Sequence, residues 1–517
     1  MTPSMSSVVR VEGLSVALPD GTVLVENTHL SVQPGEVLSL LGPSGAGKTT
    51  LLRAIFVPEE LRQRGYDVTW SIREVTTEPA YVPQRGALLD HLDVAGNIAL
   101  AQAGAGAPAN VATWLRAVDL DESLAHPGRS VAELSGGQAQ RVAVARTFAA
   151  GRKLVVLDEP SPGLDPVGVR LLARLLLTQA RRHRAGIIVI THDIALAAGA
   201  SDAIVFLDPA RRRLVSVVSL WCGPTELEVP EVRQQRMAEL EAAMEDLLLR
   251  DRPPAAGGPS RARSRLDLLA PLRVAGEAIL RFFDPRLMMA STVVLRRALV
   301  QSLLRPLPFY ATVGILMGIT VPYVIVHISD ALKPSAVLGL IGGSYILSLA
   351  PPLSAIVFAA TSGSAVNAWL GWLRLNGQVV ALEGLAIPPA RYLWSPAWMA
   401  LAWSYLATCV VFVAAMTAGG WALFELYGVP YALEKLTADF LDPPASRLPY
   451  LVRAVWLVIS YAVAVASIVV AKGGEPKERS EEVTTAMTSA VMRSTLFVVG
   501  MELVTVVLLF AYTGRGR

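Results

Sequence analysis

The octet Gly42-Pro43-Ser44-Gly45-Ala46-Gly47-Lys48-Thr49 has the spacing of a phosphate-binding loop, and Thr50 follows it into the next run. Glycines there let backbone N–H groups curl round phosphate oxygens, the lysine reaches the terminal phosphates, and the threonine hydroxyl suits Mg²⁺. Accident alone produces such a match in roughly a few per cent of chains this long, so its companions decide. LVVLDEP ends an apolar run in two acids. Asp158 can hold Mg²⁺ directly or through water, and Glu159 can polarise an attacking water. Standing alone, such a pair is more often a solvated turn. Upstream, Ser135-Gly136-Gly137-Gln138 opens a helical run whose N-terminus suits an anion, although by itself it reads as a glycine-rich cap. Together the three describe phosphoryl transfer from a nucleoside triphosphate.

Such groups need strands that end side by side. GEVLSLL, KLVVLDEP and GIIVITHD are continuous apolar runs of the buried parallel kind, and TTLLRAIF after the loop has helical spacing. VVRVEGLSVAL is a further strand, with turns at Pro19-Asp20-Gly21 and Pro34-Gly35. Residues 229–250 predict a helix starting at Pro230, with Val232, Leu240, Met244 and Leu247 near one face. DRPPAAGGPSRARSR, unable to bury a core, reads as a linker. The expected organisation is a soluble domain over 1–228, a helical extension and linker over 229–265, and a second domain over 266–517.

The second domain belongs in lipid. The chain is 53% apolar and 17% charged, with mean hydropathy +0.46, against about 25% charge in soluble domains. Charge crowds the first half. A net charge of +3 without interleaved Lys/Arg and aromatics excludes a nucleic-acid partner. Cys222 and Cys409 are too far apart to imply a disulfide framework. The N-terminus shows no apolar signal core, so the first domain is expected in the cytoplasm. DLLAPLRVAGEAILRFFDPRLMM predicts an amphipathic helix along the membrane surface, followed by spans near 307–328, 335–360, 393–425, 454–471 and 494–512. The segments 361–392 and 472–485 are then cytoplasmic. Arg296, Arg297 and Arg305 obey the positive-inside rule, whereas Arg447, Arg453, Arg515 and Arg517 fall outside or at that boundary. Glu502, in the middle of the last span, needs a partner or a wet cavity, which leaves a structural hydrogen bond and a place on a lipid path both open.

With these motifs in this order, the first domain resembles the ATP-binding-cassette (ABC) ATPases. The resemblance implies an α/β P-loop ABC ATPase domain followed by an all-α membrane domain, with an amphipathic lead-in helix and five transmembrane helices. It assigns catalytic roles to Glu159, to His192 of ITHD and to Gln84 of YVPQ, and places Gln84 with Thr49 and Asp158 on Mg²⁺. Asp165 of GLD falls in the loop at the nucleotide, and the LSGGQ residues bind ATP held by the opposite subunit, which implies a homodimer. LSVALPDG lacks the aromatic that such proteins stack on adenine, which leaves GTP open.

The segment from APPLSAIVFAATSGSAVNAWLGWLRLNGQVVALEGLAIPP to PAWMA resembles the MlaE/YrbE permeases, the lipid-moving partners of MCE proteins, and TTAMTSAVMRSTLFVVGMELVTVVLLF extends the likeness. Trp369, Gly377, Val380 and Ala360-Thr361 depart from the family pattern and mark a divergent member. The likeness implies a coupling helix carrying Arg374, Gln378 and Glu383; an interfacial helix anchored by Trp369 and Trp372 is the plainer alternative. It further implies ATP-driven movement of phospholipid or a related lipid between a bacterial inner membrane and an extracytoplasmic MCE-type partner. The 229–250 helix either packs on the ATPase or recruits a small cytoplasmic regulatory subunit. A drug or amphiphile exporter and a non-transporting mechanotransmission ATPase are the alternatives; the loop at 426–450 is too small for the external domain that the latter needs.

Overall fold

The computed structural model describes residues 7–43, 46–63, 65–77, 79–83, 88–105, 110–162, 164–208, 211–218, 230–249, 276, 285–328, 333–385, 387–441, 448–477 and 479–514. The chain divides into two compact units, one comprising Met1–Leu266 with Asn376–Pro388 and the other Asp267–Leu375 with Pro389–Arg517.

The first unit is built on two sheets. Strands β1 (Val9–Ala17), β2 (Val23–Val32), β4 (Asp67–Thr69) and β5 (Ile72–Val75) pair antiparallel around β1. The second sheet has the order β10-β9-β3-β8-β7-β6, from β3 (Val37–Leu41), β6 (Ala80–Val82), β7 (Leu154–Asp158), β8 (Gly186–Ile190), β9 (Ala203–Asp208) and β10 (Arg213–Val218). All its pairings are parallel except β10 with β9. The apolar runs behave as their composition predicts: β3 and β8 are buried at every residue and β7 at all but Asp158. Leu51, Leu52 and Ile55 of helix Lys48–Phe56 join the core that Val9, Leu14, Leu38 and Val156 form between the sheets.

Helix Pro230–Leu249 begins at the predicted proline. Leu240 is buried with Ala197, Ala198 and Phe206, and Arg236 donates to the carbonyl of Ser201 at 3.2 Å, so this helix packs on the α/β fold of the first unit. The predicted lead-in helix lies largely outside the described residues, as does Cys222; Gly276 and the stretch from Pro285 are described.

Among the described residues of the second unit five helices are long and apolar enough to cross a membrane: Thr292–Ile328, Ser344–Leu375, Ala390–Leu426, Leu448–Gly474 and Ser480–Leu509. The number agrees with expectation and several bounds do not: the first and fifth helices start at Thr292 and Ser480 against an expected 307 and 494, so part of the expected 472–485 segment is helical, and the second span differs most. The run 335–360 is broken, because helix Pro334–Ile341 ends at Gly342 in a left-handed turn (φ +50) and a new helix starts at Ser344. That helix passes through a π-turn at Ala359–Gly363 and continues to Leu375, so residues 361–375 are helical instead of a loop. Neighbours take up part of their polar groups: the amide nitrogen of buried Asn367 donates to Val469 O at 2.8 Å, and Gln301 donates to Ala365 O at 3.2 Å. The first and third spans approach closely through Gly314, Gly318 and Gly419, where a Cβ would collide with the opposing backbone.

Candidate nucleotide site

β3, β7 and β8 run parallel and release their chains at the same edge, where ligands of open α/β sheets bind. The loop after β3 closes on Gly47, whose φ of +93 is left-handed and whose missing Cβ leaves room for Leu24. Helix Lys48–Phe56 starts there without a side-chain cap, which leaves its first N–H groups for an anion. Lys48 is buried, and its ammonium donates to the carbonyls of Gly42 at 2.7 Å and Pro43 at 3.1 Å. Burial pushes its pKa down, and the charges of Glu159 and Asp158 pull it back up. A buried cation on neutral carbonyls beside uncapped N–H groups fits a phosphate.

Two hydroxyls converge on Asp158 Oδ2: Thr49 donates at 3.3 Å and Tyr81 at 2.5 Å. Burial raises the Asp158 pKa, and these two bonds counter it. Glu159 stands in the left-handed region at φ +47, directly before Pro160, with its N–H bonded to Ile190 O at 2.8 Å. Non-glycine residues rarely adopt that region, and such strain gathers at functional sites. The turn aims the carboxylate across to β8, where His192 Nδ1 lies 2.7 Å from Glu159 Oε2. The imidazole is exposed and the carboxylate largely buried. Phosphate cradle, metal-type oxygens and a carboxylate with a histidine beside it thus come from three adjacent strand ends.

The other predicted residues are placed differently. Ser135 and Gln138 form a reciprocal capping box on helix Gly136–Ala149, with Ser135 accepting from Gln138 N at 3.2 Å and donating its own N–H to Gln138 Oε1 at 2.9 Å. Ser135 and Gly136 are exposed, and Gly137 stands against Leu164. The motif thus caps a helix, as its plainer reading has it, and leaves the start of its first turn exposed. Asp165 caps helix Pro166–His183 by accepting from Gly168 N at 2.7 Å. Thr50 and Ala46 border the loop; Ser44, Gly45 and Gln84 lie outside the described residues. Among the described residues no group of three or more His, Cys, Asp or Glu could hold a metal. A divalent ion here would draw on Thr49, Asp158 and the nucleotide, a donor set of oxygens that suits Mg²⁺. Sequence reasoning missed Tyr81. Its signal is the alternation of β6, which puts it on the face of its parallel partner Val156 and hence of Asp158.

Of the three coupling candidates, Gln378 and Glu383 share helix Gln378–Gly384, and Arg374 does not. That helix belongs to the ATPase unit, with Gln378 and Leu382 buried and Glu383 exposed. A Cβ on Gly384 would stand 2.5 Å from Tyr81 N, so the helix backbone lies directly on the free edge of β6. Arg374 ends the second span instead, donating to Gly474 O at 3.0 Å with its guanidinium 5.6 Å from the Trp394 ring. Glu502 is paired with Arg453, which also donates to Thr505 at 3.0 Å, and Tyr461 donates to Glu502 at 3.0 Å.

The family model described as ABC transporter matches residues 25–162, and that described as Permease MlaE matches residues 295–508. The phosphonates import ATP-binding protein PhnC of Burkholderia pseudomallei (strain 1710b) is 31% identical over 231 residues, covering 39% of this chain and 74% of that protein. The aliphatic sulfonates import ATP-binding protein SsuB 1 of Xanthomonas axonopodis pv. citri (strain 306) is 35% identical over 235 residues, covering 44% and 89%. Among solved structures, cbiO1 from Clostridium perfringens, part of the ABC transporter complex cbiONQ, aligns with 21% identity and a TM-score of 0.36 over 47% of this chain and 98% of that one.

Proposed function

This chain belongs to the ABC transporter family and carries an MlaE-type permease fused behind its ATP-hydrolysing domain; on that premise we propose that two copies form a transporter moving phospholipid or a related lipid between a bacterial inner membrane and an extracytoplasmic MCE-type partner. The observation that carries the coupling is the helix Gln378–Gly384, which lies between the second and third spans in sequence and packs within the ATPase unit. The permease family carries the lipid reading.

Within the site, Lys48 and the N–H groups that open its helix bind the phosphates of ATP. Thr49 and Asp158, with Gln84, hold Mg²⁺, which supplies charge neutralisation at the phosphates. Glu159 accepts a proton from the attacking water, and His192 holds the Glu159 carboxylate in place and reaches the terminal phosphate. Asp165 keeps its loop at the nucleotide. The exposed turn Ser135-Gly136-Gly137-Gln138 faces the nucleotide of the second copy, so each site is completed by the partner. Closure of the two ATPases pulls on Gln378 and Glu383, and Arg374 ties the end of the second span to the end of the fourth. Glu502, its carboxylate satisfied by Arg453 and Tyr461, holds two span helices together.

Mass spectrometry of the purified, detergent-extracted protein tests the lipid reading. Phospholipid bound in near-stoichiometric amount is the expected result, and small polar solutes alone would reject it.

A further inference from the structure

We propose that Tyr81 is a positioning residue that ties the seating of helix Gln378–Gly384 to the orientation of the Asp158 carboxylate; this rests on the reading of Asp158 as an Mg²⁺ ligand. One residue carries both contacts. Its backbone is the floor under Gly384, where an added Cβ would come within 2.5 Å of Tyr81 N and 3.2 Å of its O. Its phenol donates to Asp158 Oδ2 at 2.5 Å, the oxygen that Thr49 also addresses at 3.3 Å. Among the described residues β6 is an edge strand of three residues paired with β7 alone, so a helix seated against its other edge bears directly on the Tyr81 backbone. The tyrosine side chain has two rotatable angles, and its ring packs into the core between the sheets. A shift of the strand edge therefore reaches the phenolic oxygen nearly undamped. An oxygen donor fixed behind a metal-binding carboxylate orients the lone pairs left for the ion, and loss of such a partner typically weakens metal binding about 10–100-fold.

A ring that merely fills the core would not need its hydroxyl. The test is equilibrium binding of trinitrophenyl-ATP to the full-length protein in nanodiscs, titrated with Mg²⁺, in a Glu159→Gln background so that turnover plays no part. Tyr81→Phe should raise the Mg²⁺ concentration at half-effect about tenfold and leave Mg²⁺-free nucleotide binding unchanged. Gly384→Ala should shift it in the same direction, and the double variant should add little beyond Tyr81→Phe, as expected of residues acting through one contact. Additive effects would overturn the inference, as would an equal loss with and without Mg²⁺, which marks a structural role. Should Gly384→Ala lose Mg²⁺-free binding through misfolding, Val380→Ala on the same helix takes its place in the cycle. Nucleotide binding that ignores Mg²⁺ in the parent protein would instead remove the metal reading of Asp158, and the inference with it.

Discussion

At the nucleotide site a buried ammonium rests on the carbonyls of Gly42 and Pro43, and the Asp158 carboxylate accepts from the hydroxyls of Thr49 and Tyr81. In the membrane unit Arg453 and Glu502 neutralise each other, with Tyr461 and Thr505 taking further valences. Lys48 and Asp158 each rest on neutral groups in the first region, and Arg453 and Glu502 are joined in the second. Charges held by neutral groups are arranged for a ligand that carries charge of its own, and a joined pair between two helices is arranged for packing. The contrast separates a site from a clasp.

The largest expected effect bears on the first region. Glu159→Gln should lower phosphate release about 10²–10⁴-fold, the usual reach of a positioned base, with ATP binding retained; unchanged hydrolysis would remove the base from the site. The second region is probed by Arg453→Ala, which strands a partly buried carboxylate and should cost about 3–5 kcal/mol of unfolding stability. Arg453→Met with Glu502→Leu should recover most of that in thermal unfolding of the detergent-solubilised protein. If the single variant instead keeps its stability and loses lipid transfer, Glu502 belongs to the lipid path and the contrast fails. A third test stays with the capping box: Ser135→Ala should cost about 1 kcal/mol of stability through the lost cap, and hydrolysis should fall further than that loss explains.

The smallest effect concerns Lys477, which is buried in the turn after the fourth span and donates to Lys472 O and Glu475 O. Burial pushes its pKa from 10.5 down to about 8. Between those values the unfolded chain binds more protons than the folded one, so stability gains with rising pH. From pH 8 to 10 the unfolding midpoint should rise relative to Lys477→Met; parallel pH profiles would show that the amine titrates normally.

What could be read without coordinates follows the same division. Lys48, Thr49, Asp158, Glu159 and His192 were legible because short spacings in a loop and at strand ends fix where they point. Tyr81 was not, because its partner Asp158 lies on another strand and only the register Tyr81 with Val156 reveals the shared face. The extension of the second span to Leu375 was hidden for a related reason. Asn367 looks like a loop residue until Val469, on another helix, supplies its acceptor. Arg453 read as a boundary charge because nothing local announces Glu502. The break at Gly342-Gly343 was written in two glycines, and the apolar run around them masked it.

The proposed coupling rests on helix Gln378–Gly384 passing work from nucleotide to permease, and Gly384→Leu tests it directly. In proteoliposomes at saturating Mg²⁺-ATP, hydrolysis and transfer of a fluorescent phospholipid are measured on the same sample. Hydrolysis should persist within about threefold while transfer drops at least tenfold, since the larger side chain unseats the helix without touching Lys48 or Glu159. Transfer that continues in proportion to hydrolysis would contradict it.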